Sequence, residues 1–332
     1  MPKEILQLDP QSAPWPQKPY LAAMGNFDGL HLAHQELFRK TILAAKAKNV
    51  GSAAISFHPH PDVFFERADL EDRPLMSVEQ RISGMYAHHI QSPLILTFNR
   101  HLANRGAQDF LSDLCQISPL KGIICGDDFR LGKNREGGVD SLSEITKQLG
   151  LDLEIVPEVS FQSHRISASH IRALLSNEGN VGEAASFLGR PYILKGMIQP
   201  DFQNGRKIGF PTLNLAHMIQ LVPKTGVYSG YVEIMDPKEK TRPMKAVFNI
   251  GYRPTIHKEQ LHKSVEAHVL GNIPYDRDLN QQKAAFYLCN RLRDEKKFPS
   301  INELRTQIQA DVEEAIVSLK NHLFKDDWQK YS

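Results

Sequence analysis

Met24–Gln35 reads MGNFDGLHLAHQ. The apolar run Tyr20-Leu21-Ala22-Ala23-Met24 precedes it, and Glu36–Lys46, ELFRKTILAAK, follows. The first reads as a buried strand and the second as a helix. Strand, glycine-containing turn and helix is the arrangement in which an open α/β sheet meets a nucleotide at its carboxyl edge. A helix start offers N–H groups and partial positive charge to phosphate. Gly25 and Gly29 let the backbone turn tightly or approach a ligand. His31 and His34, spaced i, i+3, share one face of a helical start and can hydrogen-bond phosphate oxygens. Alone, an H-x-x-H pair is common and Asp28 could equally be a turn or capping residue. The whole string in its setting gives the reading its weight.

Working outward, Val50–Phe57 is a second strand that runs into His58-Pro59-His60-Pro61. Two prolines forbid a regular continuation there. Leu94–Phe98, Gly122–Cys125 and Asp152–Val156 read as further strands. Gln35–Lys48, Ser77–His89, Ala107–Gln116 and Ser141–Leu149 read as helices. Alternating strands and helices predict a parallel sheet with crossovers. Polar loops follow several strand ends, including Gly126–Gly138 with Asp128, as one ligand cleft requires. Arg165–Arg172, RISASHIR, places Ser167 and Ser169 as possible caps beside Arg165, His170 and Arg172. It is either a second phosphate site or a capped surface helix. Neither G-x-x-x-x-G-K-[ST] nor G-x-G-x-x-G occurs.

The length of 332 residues suits two domains, and 41% hydrophobic with 23% charged residues is ordinary for a soluble globular protein. A net charge of +2 points to neither nucleic acid nor membrane as an obligatory partner. Cys115, Cys125 and Cys289 form no C-x-x-C and no disulfide framework. Residues 2–19, rich in Pro and Gln, read as an extended lead-in without the apolar core of a signal peptide. No apolar run approaches the ~20 residues that span a bilayer. These features predict a soluble, cytoplasmic protein.

After a helix at Asn180–Leu188 the pattern becomes short β-rich runs broken by Gly and Pro, so the boundary falls near Glu178–Arg190. Such spacing predicts a small antiparallel barrel. Ile301–Leu323 reads as one long helix with the stripe Ile301, Leu304, Ile308, Val312, Ala315, Ile316, Leu319 and Leu323 packing on the barrel. Ser300 and Glu303 suggest its capping box. The densest motif is Gly205-Arg206-Lys207-Ile208-Gly209-Phe210-Pro211-Thr212-Leu213-Asn214. If extended, it points Thr212 and Asn214 the same way. Their hard, neutral oxygens are ligands magnesium accepts beside phosphates; the alternative is a β-turn with a solvated Arg-Lys pair. Glu266 lies in Val265-Glu266-Ala267-His268-Val269 and shares a face with Ser264 and His268. A carboxylate facing into a barrel or its mouth could act as a general base; otherwise it is a solvent-facing strand residue.

Together, and in order, these motifs resemble the prokaryotic bifunctional riboflavin kinase/FMN adenylyltransferase (FAD synthetase) family over nearly the whole chain. Further matching motifs are Leu188–Tyr192, Asn249–Thr255 and Arg293–Phe298. The resemblance implies an α/β plus β fold. Residues 1–182 would form a Rossmann-like nucleotidyltransferase domain with a parallel sheet. Residues 183–332 would form a riboflavin-kinase-like antiparallel barrel with a long terminal helix. It implies that the barrel moves the γ-phosphate of ATP to riboflavin, with Glu266 as base and Thr212 and Asn214 holding Mg²⁺. Gly205, Arg206, Lys207, Gly209 and Pro211 would belong to the loop over the phosphates. In the first domain FMN would attack the α-phosphate of ATP, giving FAD and pyrophosphate. His31 and His34 would steady the triphosphate, and Gly25, Phe27, Asp28, Gly29, Asp128, Ser167, Ser169 and Arg172 would bind ATP. His58, Pro59, Asn249 and Arg293 would contact flavin. The ligands implied are riboflavin, FMN, FAD, ATP, ADP and pyrophosphate, on a monomer or weak homo-oligomer. The family usually has Gly where Ala33 stands, Ser where Ala168 stands and Arg where His170 stands. These departures predict adenylylation as the weaker activity. The alternatives are a riboflavin kinase with a degenerate first domain, and a flavin-binding regulator without turnover.

Overall fold

Strands β1 (Ile5–Leu6), β2 (Tyr20–Met24), β3 (Gly51–His58), β4 (Ser92–Thr97), β5 (Leu120–Gly126) and β6 (Asp152–Val156) form one sheet in the order β1-β4-β3-β2-β5-β6. Every pairing in it is parallel. The computed structural model describes residues 5–6, 15–65, 73–161, 164–199, 209–235, 242–253, 262–271, 279–320 and 324–331. Two compact units divide the chain, Met1–Ala168 and Ser169–Ser332.

Between the strands of the first unit run α1 (Leu32–Ala47), α2 (Pro61–Phe64), α3 (Val78–Ala87), α4 (Arg100–Ala103), α5 (Ala107–Ile117) and α6 (Val139–Leu149). Central strands are apolar without alternation because both faces are covered. Ala22, Ala23, Ala53, Ala54 and Ile55 are completely buried. Strand order reverses between β2 and β5, and ligands of open α/β sheets bind at that reversal, beyond the strand carboxyl ends. The stretch 24–35 leaves β2 at this place. The lead-in differs from expectation: its Ile5 and Leu6 pair with Ile95 and Leu96 as an edge strand. Helix α1 starts at Leu32 rather than Gln35, because the extended His31 (ψ 170°) is its N-cap. Helix α3 begins with a reciprocal capping box between Ser77 and Gln80. An antiparallel pair, β7 (Ser160–Phe161) and β8 (His164–Arg165), then leads to α7 (Ala168–Ala173).

In the second unit α8 (Val181–Leu188) precedes β9 (Tyr192–Gln199), β10 (Leu213–Ala216), β11 (Gly226–Met235), β12 (Met244–Arg253), β13 (His262–Val269) and β14 (Lys283–Arg293). These strands close an antiparallel barrel in the order β10-β13-β12-β11-β14-β9. Its interior holds Phe248 and Phe286, with ring centroids 5.2 Å apart, beside Ile250, Val265 and Ala267. Each fully buried Phe contributes roughly 1.5–3 kcal/mol relative to exposure.

Helix α9 (Ile301–Ser318) covers part of the outer face, setting Ala315 against Val227 and Val247. It ends before the expected Leu323, which lies outside the described residues. Its buried line runs through Asp311, Ala315 and Leu319, so Ile301 and Ile316 turn to solvent. Ser300 caps it by accepting the Glu303 N–H (3.2 Å). The Glu303 carboxylate accepts the Ser300 hydroxyl (3.1 Å) rather than completing the expected box. The sequence reading missed the tail. Phe324 packs edge-on to Tyr231 and Tyr287, and Tyr331 lies under the Arg190 guanidinium, 4.1 Å away.

Candidate active sites

The turn after β2 holds Phe27 (φ 52°), Gly29 (φ 79°) and Leu30 (φ 43°) in left-handed conformations. Such backbone persists only where its surroundings over-determine it. Two side-chain anchors do so. The buried Asp28 carboxylate accepts the N–H groups of Leu75 (3.0 Å) and Met76 (3.2 Å). Arg81 of α3, also buried, donates from Nη1 to the Asn26 carbonyl (2.9 Å), Ser56 Oγ (3.0 Å) and the Phe57 carbonyl (3.1 Å). Asp28, expected among the ATP ligands, therefore points inward and holds the turn. Arg81 was missed. Its signal is spacing: it falls at i+3 from Val78 and i−4 from Met85, within the apolar stripe of α3.

His31 and His34 come together as expected, with rings stacked 16° from parallel and centroids 3.6 Å apart. Phe27 meets His34 edge-on at 5.3 Å. Burial, then the neighbouring His31 and Arg81, pushes the His34 pKa well below its ordinary value. His34 Nδ1 is buried with no hydrogen-bond partner among the described residues. A neutral imidazole can donate to phosphate oxygen without bringing a charge that repels Arg81.

His58 ends β3, and its bond to Pro59 is cis. Burial and the Arg81 charge lower its pKa. Around this strand end Phe57, Phe64 and Phe65 surround Phe98, with ring centroids 5.3–6.1 Å from it, and Phe65 is 43% exposed. Asp128 is exposed and ion-paired with Arg165, which also meets Glu158 at 3.2 Å. Ser167 precedes α7, which contains Ser169 and Arg172. His170 packs edge-on to Phe187 at 5.0 Å.

In the barrel, register builds the second cluster. Asn214 pairs with Glu266, Glu266 with Asn249, Asn249 with Val227, and Val227 with Arg293. These residues form one transverse row, and directly paired residues share a sheet face. Glu266 does not face into the barrel as considered from the sequence: Val265, Ala267 and Val269 occupy the buried side. The row lies on the outer face, beside α9. Arg293 is bound there by Asp311, Nε and Nη2 donating to its carboxylate at 2.7 and 2.6 Å, while Nη1 donates to the Asp294 carbonyl (2.9 Å). Three of its five N–H donors are thus engaged, and the side chain is anchored beside α9.

Gly209 (φ 86°) turns the chain before Phe210-Pro211-Thr212. The Pro211 carbonyl lies 2.9 Å from His268 Nδ1. Gly205, Arg206 and Lys207 lie outside the described residues. Among the described residues no group of three His, Cys, Asp or Glu side chains could hold a metal. The neutral oxygens of Thr212 and Asn214 instead fit a hard cation that keeps water and phosphate ligands, as Mg²⁺ does.

Comparison with known proteins agrees with this two-part geometry. A family model described as FAD synthetase matches residues 14–170, and one described as riboflavin kinase matches residues 188–319. The bifunctional riboflavin kinase/FMN adenylyltransferase of Escherichia coli (strain K12) is 31% identical over 297 residues, covering 89% of this chain and 91% of that protein. Its namesake from Bacillus subtilis (strain 168) is 31% identical over 309 residues, covering 90% and 92%. A crystal structure titled macrolide-efflux protein, from Streptococcus pneumoniae, superposes with a TM-score of 0.81 at 26% identity, covering 93% of this chain and 98% of that one. Among the described residues no helix is long and apolar enough to cross a membrane.

Proposed function

We infer the division of labour within this chain from one premise: it belongs to the bifunctional riboflavin kinase/FMN adenylyltransferase family. It phosphorylates riboflavin to FMN with ATP and adenylylates FMN to FAD. We assign adenylylation to residues 1–182 and phosphorylation to residues 183–332.

For the kinase, the observation that carries the residue assignment is the row Asn214–Glu266–Asn249. Glu266 takes the proton from the ribityl hydroxyl as its oxygen attacks the γ-phosphorus of ATP and ADP leaves. Thr212 and Asn214 would hold Mg²⁺, which when bound would neutralise phosphate charge; such transfer needs chiefly positioning and charge compensation. Gly209 and Pro211 shape the loop beside the phosphates, and sequence alone supports Gly205, Arg206 and Lys207 there. Asn249 orients flavin. Arg293 supports the row through Asp311 and contacts flavin from that anchored position.

For the adenylyltransferase, the stacked imidazoles at the sheet's switch point carry the assignment. An FMN phosphate oxygen attacks the α-phosphorus of ATP, and pyrophosphate leaves with no protein nucleophile. His31 and His34 donate to phosphate oxygens as charge moves onto that leaving group. Gly25, Phe27 and Gly29 form the turn, and Asp128 lies in the loop after β5. Ser167, Ser169 and Arg172 remain nucleotide ligands on the motif alone. The aromatic group Phe57, Phe64, Phe65 and Phe98 supports flavin contact at His58 and Pro59. Ala33 and the use of His170 in packing against Phe187 favour adenylylation as the slower reaction. The use of ATP and the three free thiols suit a cytoplasmic protein, which we take as a monomer or weak homo-oligomer.

A chromatographic time course with riboflavin, ATP and Mg²⁺ tests both halves. FMN followed by FAD is the expected result. FMN alone leaves the barrel as the working enzyme, and neither product from folded, flavin-binding chain refutes the assignment.

A further inference from the structure

Strand pairing between β10 and β13 begins at Leu213↔Ala267. One step beyond, where Thr212 faces His268, the backbone ladder has stopped. A side chain takes over: His268 Nδ1 lies 2.9 Å from the Pro211 carbonyl. A carbonyl only accepts, so the imidazole carries its proton on Nδ1 in this contact. The same ring receives Phe210 edge-on, with centroids 5.3 Å apart at 76°. Two successive residues of the loop, Phe210 and Pro211, are therefore gripped by one side chain immediately before Thr212. His268 is half-buried and stands on the same strand face as Glu266, two residues away.

We propose that His268 is a positioning residue of the kinase site, tying the loop that presents Thr212 to the strand that carries Glu266. This inference rests on the kinase assignment made above. Without the tether, the loop loses the grip of one imidazole on two successive residues, just after Gly209 permits turning and just before the ladder starts at Leu213. Thr212 then loses its fixed relation to Glu266, and both magnesium use and phosphate alignment suffer. His268 itself touches neither substrate nor metal in this account.

The bond geometry supplies a discriminating pair of variants. An Asn amide nitrogen occupies nearly the place of Nδ1, one bond beyond Cγ; a Gln amide nitrogen reaches one bond further. His268→Asn keeps the donor to Pro211, whereas His268→Gln and His268→Ala do not. Riboflavin phosphorylation is measured in the full chain against MgATP and against free Mg²⁺, with FMN adenylylation and the melting temperature as controls for folding. Removing a support of a metal ligand typically costs about 10–100-fold in metal affinity or activity. That loss in kcat/KM for MgATP, with a raised Mg²⁺ requirement, is expected for the Gln and Ala variants. The Asn variant is expected to stay close to the unchanged chain, and adenylylation to be unaffected throughout. If Ala prevents folding, the Asn–Gln pair of similar size still decides.

A Gln variant as active as the unchanged chain, or Asn and Gln equally impaired, would overturn the tether. A loss confined to the amount of folded protein, with KM and Mg²⁺ requirement unchanged, would also overturn it. Glu266→Gln separates this from failure of the assignment itself: if that variant still makes FMN at the original rate, the kinase site has been misread whatever His268 does.

Discussion

Arg81→Met should loosen the nucleotide turn while leaving the barrel intact. Methionine keeps most of the length and apolar contact of the side chain but removes every donor. Three contacts go, to Asn26 O, Ser56 Oγ and Phe57 O, at 2.9–3.1 Å. Ser56 Oγ still donates to the Asn26 carbonyl at 2.8 Å, so the Phe57 carbonyl loses most. Hydrogen bonds from a charged donor are worth roughly 1.5–3 kcal/mol each, but removal also relieves desolvation of the buried guanidinium. Burial already pulls the Arg81 pKa down against the opposing pull of Asp28 and Glu79. We therefore expect a net loss of about 2 kcal/mol, or about 4–8 °C in the melting of a unit this size. The turn carries His31 and His34, and a displacement near 1 Å can cost about 10²-fold in rate. Adenylylation of FMN should fall by one to two orders of magnitude, about 10–10²-fold, with a raised KM for ATP. Riboflavin phosphorylation by the same chain should be unchanged. Calorimetry with parallel chromatographic assays of the two products makes the measurement. Unchanged or raised melting with full FAD formation would refute the reasoning, because it would mean that the left-handed turn holds itself.

Three further outcomes follow from buried groups. His34 has a folded pKa well below its unfolded value, so below about pH 6.5 the unfolded chain binds the extra proton and stability falls as pH falls. Urea unfolding between about pH 7.5 and 5 should show this slope, reduced in His34→Gln; equal slopes would remove His34 as its source. Burial pushes the thiols of Cys125 and Cys289 up to about 12 and raises that of Cys115 as well. The thiolate is the reactive form. A thiol reagent at mild pH should therefore label the native chain slowly and all three cysteines rapidly after denaturation; fast native labelling of Cys125 or Cys289 would contradict the burial. Asp311→Asn breaks a two-pronged pair with Arg293 and should cost roughly 3 kcal/mol, at the low end for a buried pair because Arg293 keeps partial exposure. An unchanged denaturant midpoint for the second unit would dismiss that pair as a stabiliser.

Local pattern was enough to find Tyr20–Met24 and Asp152–Val156, whose observed limits match the expected ones. Apolar runs bounded by polar turns report their own burial. Strand order was not legible, because it depends on which crossovers pack together. Ile5–Leu6 is too short to show a period. The motif at 24–35 revealed its location and its stacked imidazoles but not the direction of Asp28, since a turn carboxylate can point either way. Arg81 and Asp311 stand outside every motif, and only their places on buried helix lines mark them. Alternation in β13 told which residues accompany Glu266 but not which face is inside. That choice belongs to the whole barrel, where Phe248 and Phe286 occupy the interior.

The transverse row has a consequence for mutation by insertion or deletion. A substitution at Glu266 alters one group, but loss of a single residue within β13 shifts the pairing by one. It then exchanges Glu266 for an apolar neighbour on the outer face and drives the carboxylate inward. In a closed barrel each strand is keyed to two neighbours, so the error cannot be absorbed at a free margin. The active face is therefore an all-or-none property of backbone counting. A substitution there moves one group, whereas a change of frame in β13 moves every group that the strand presents.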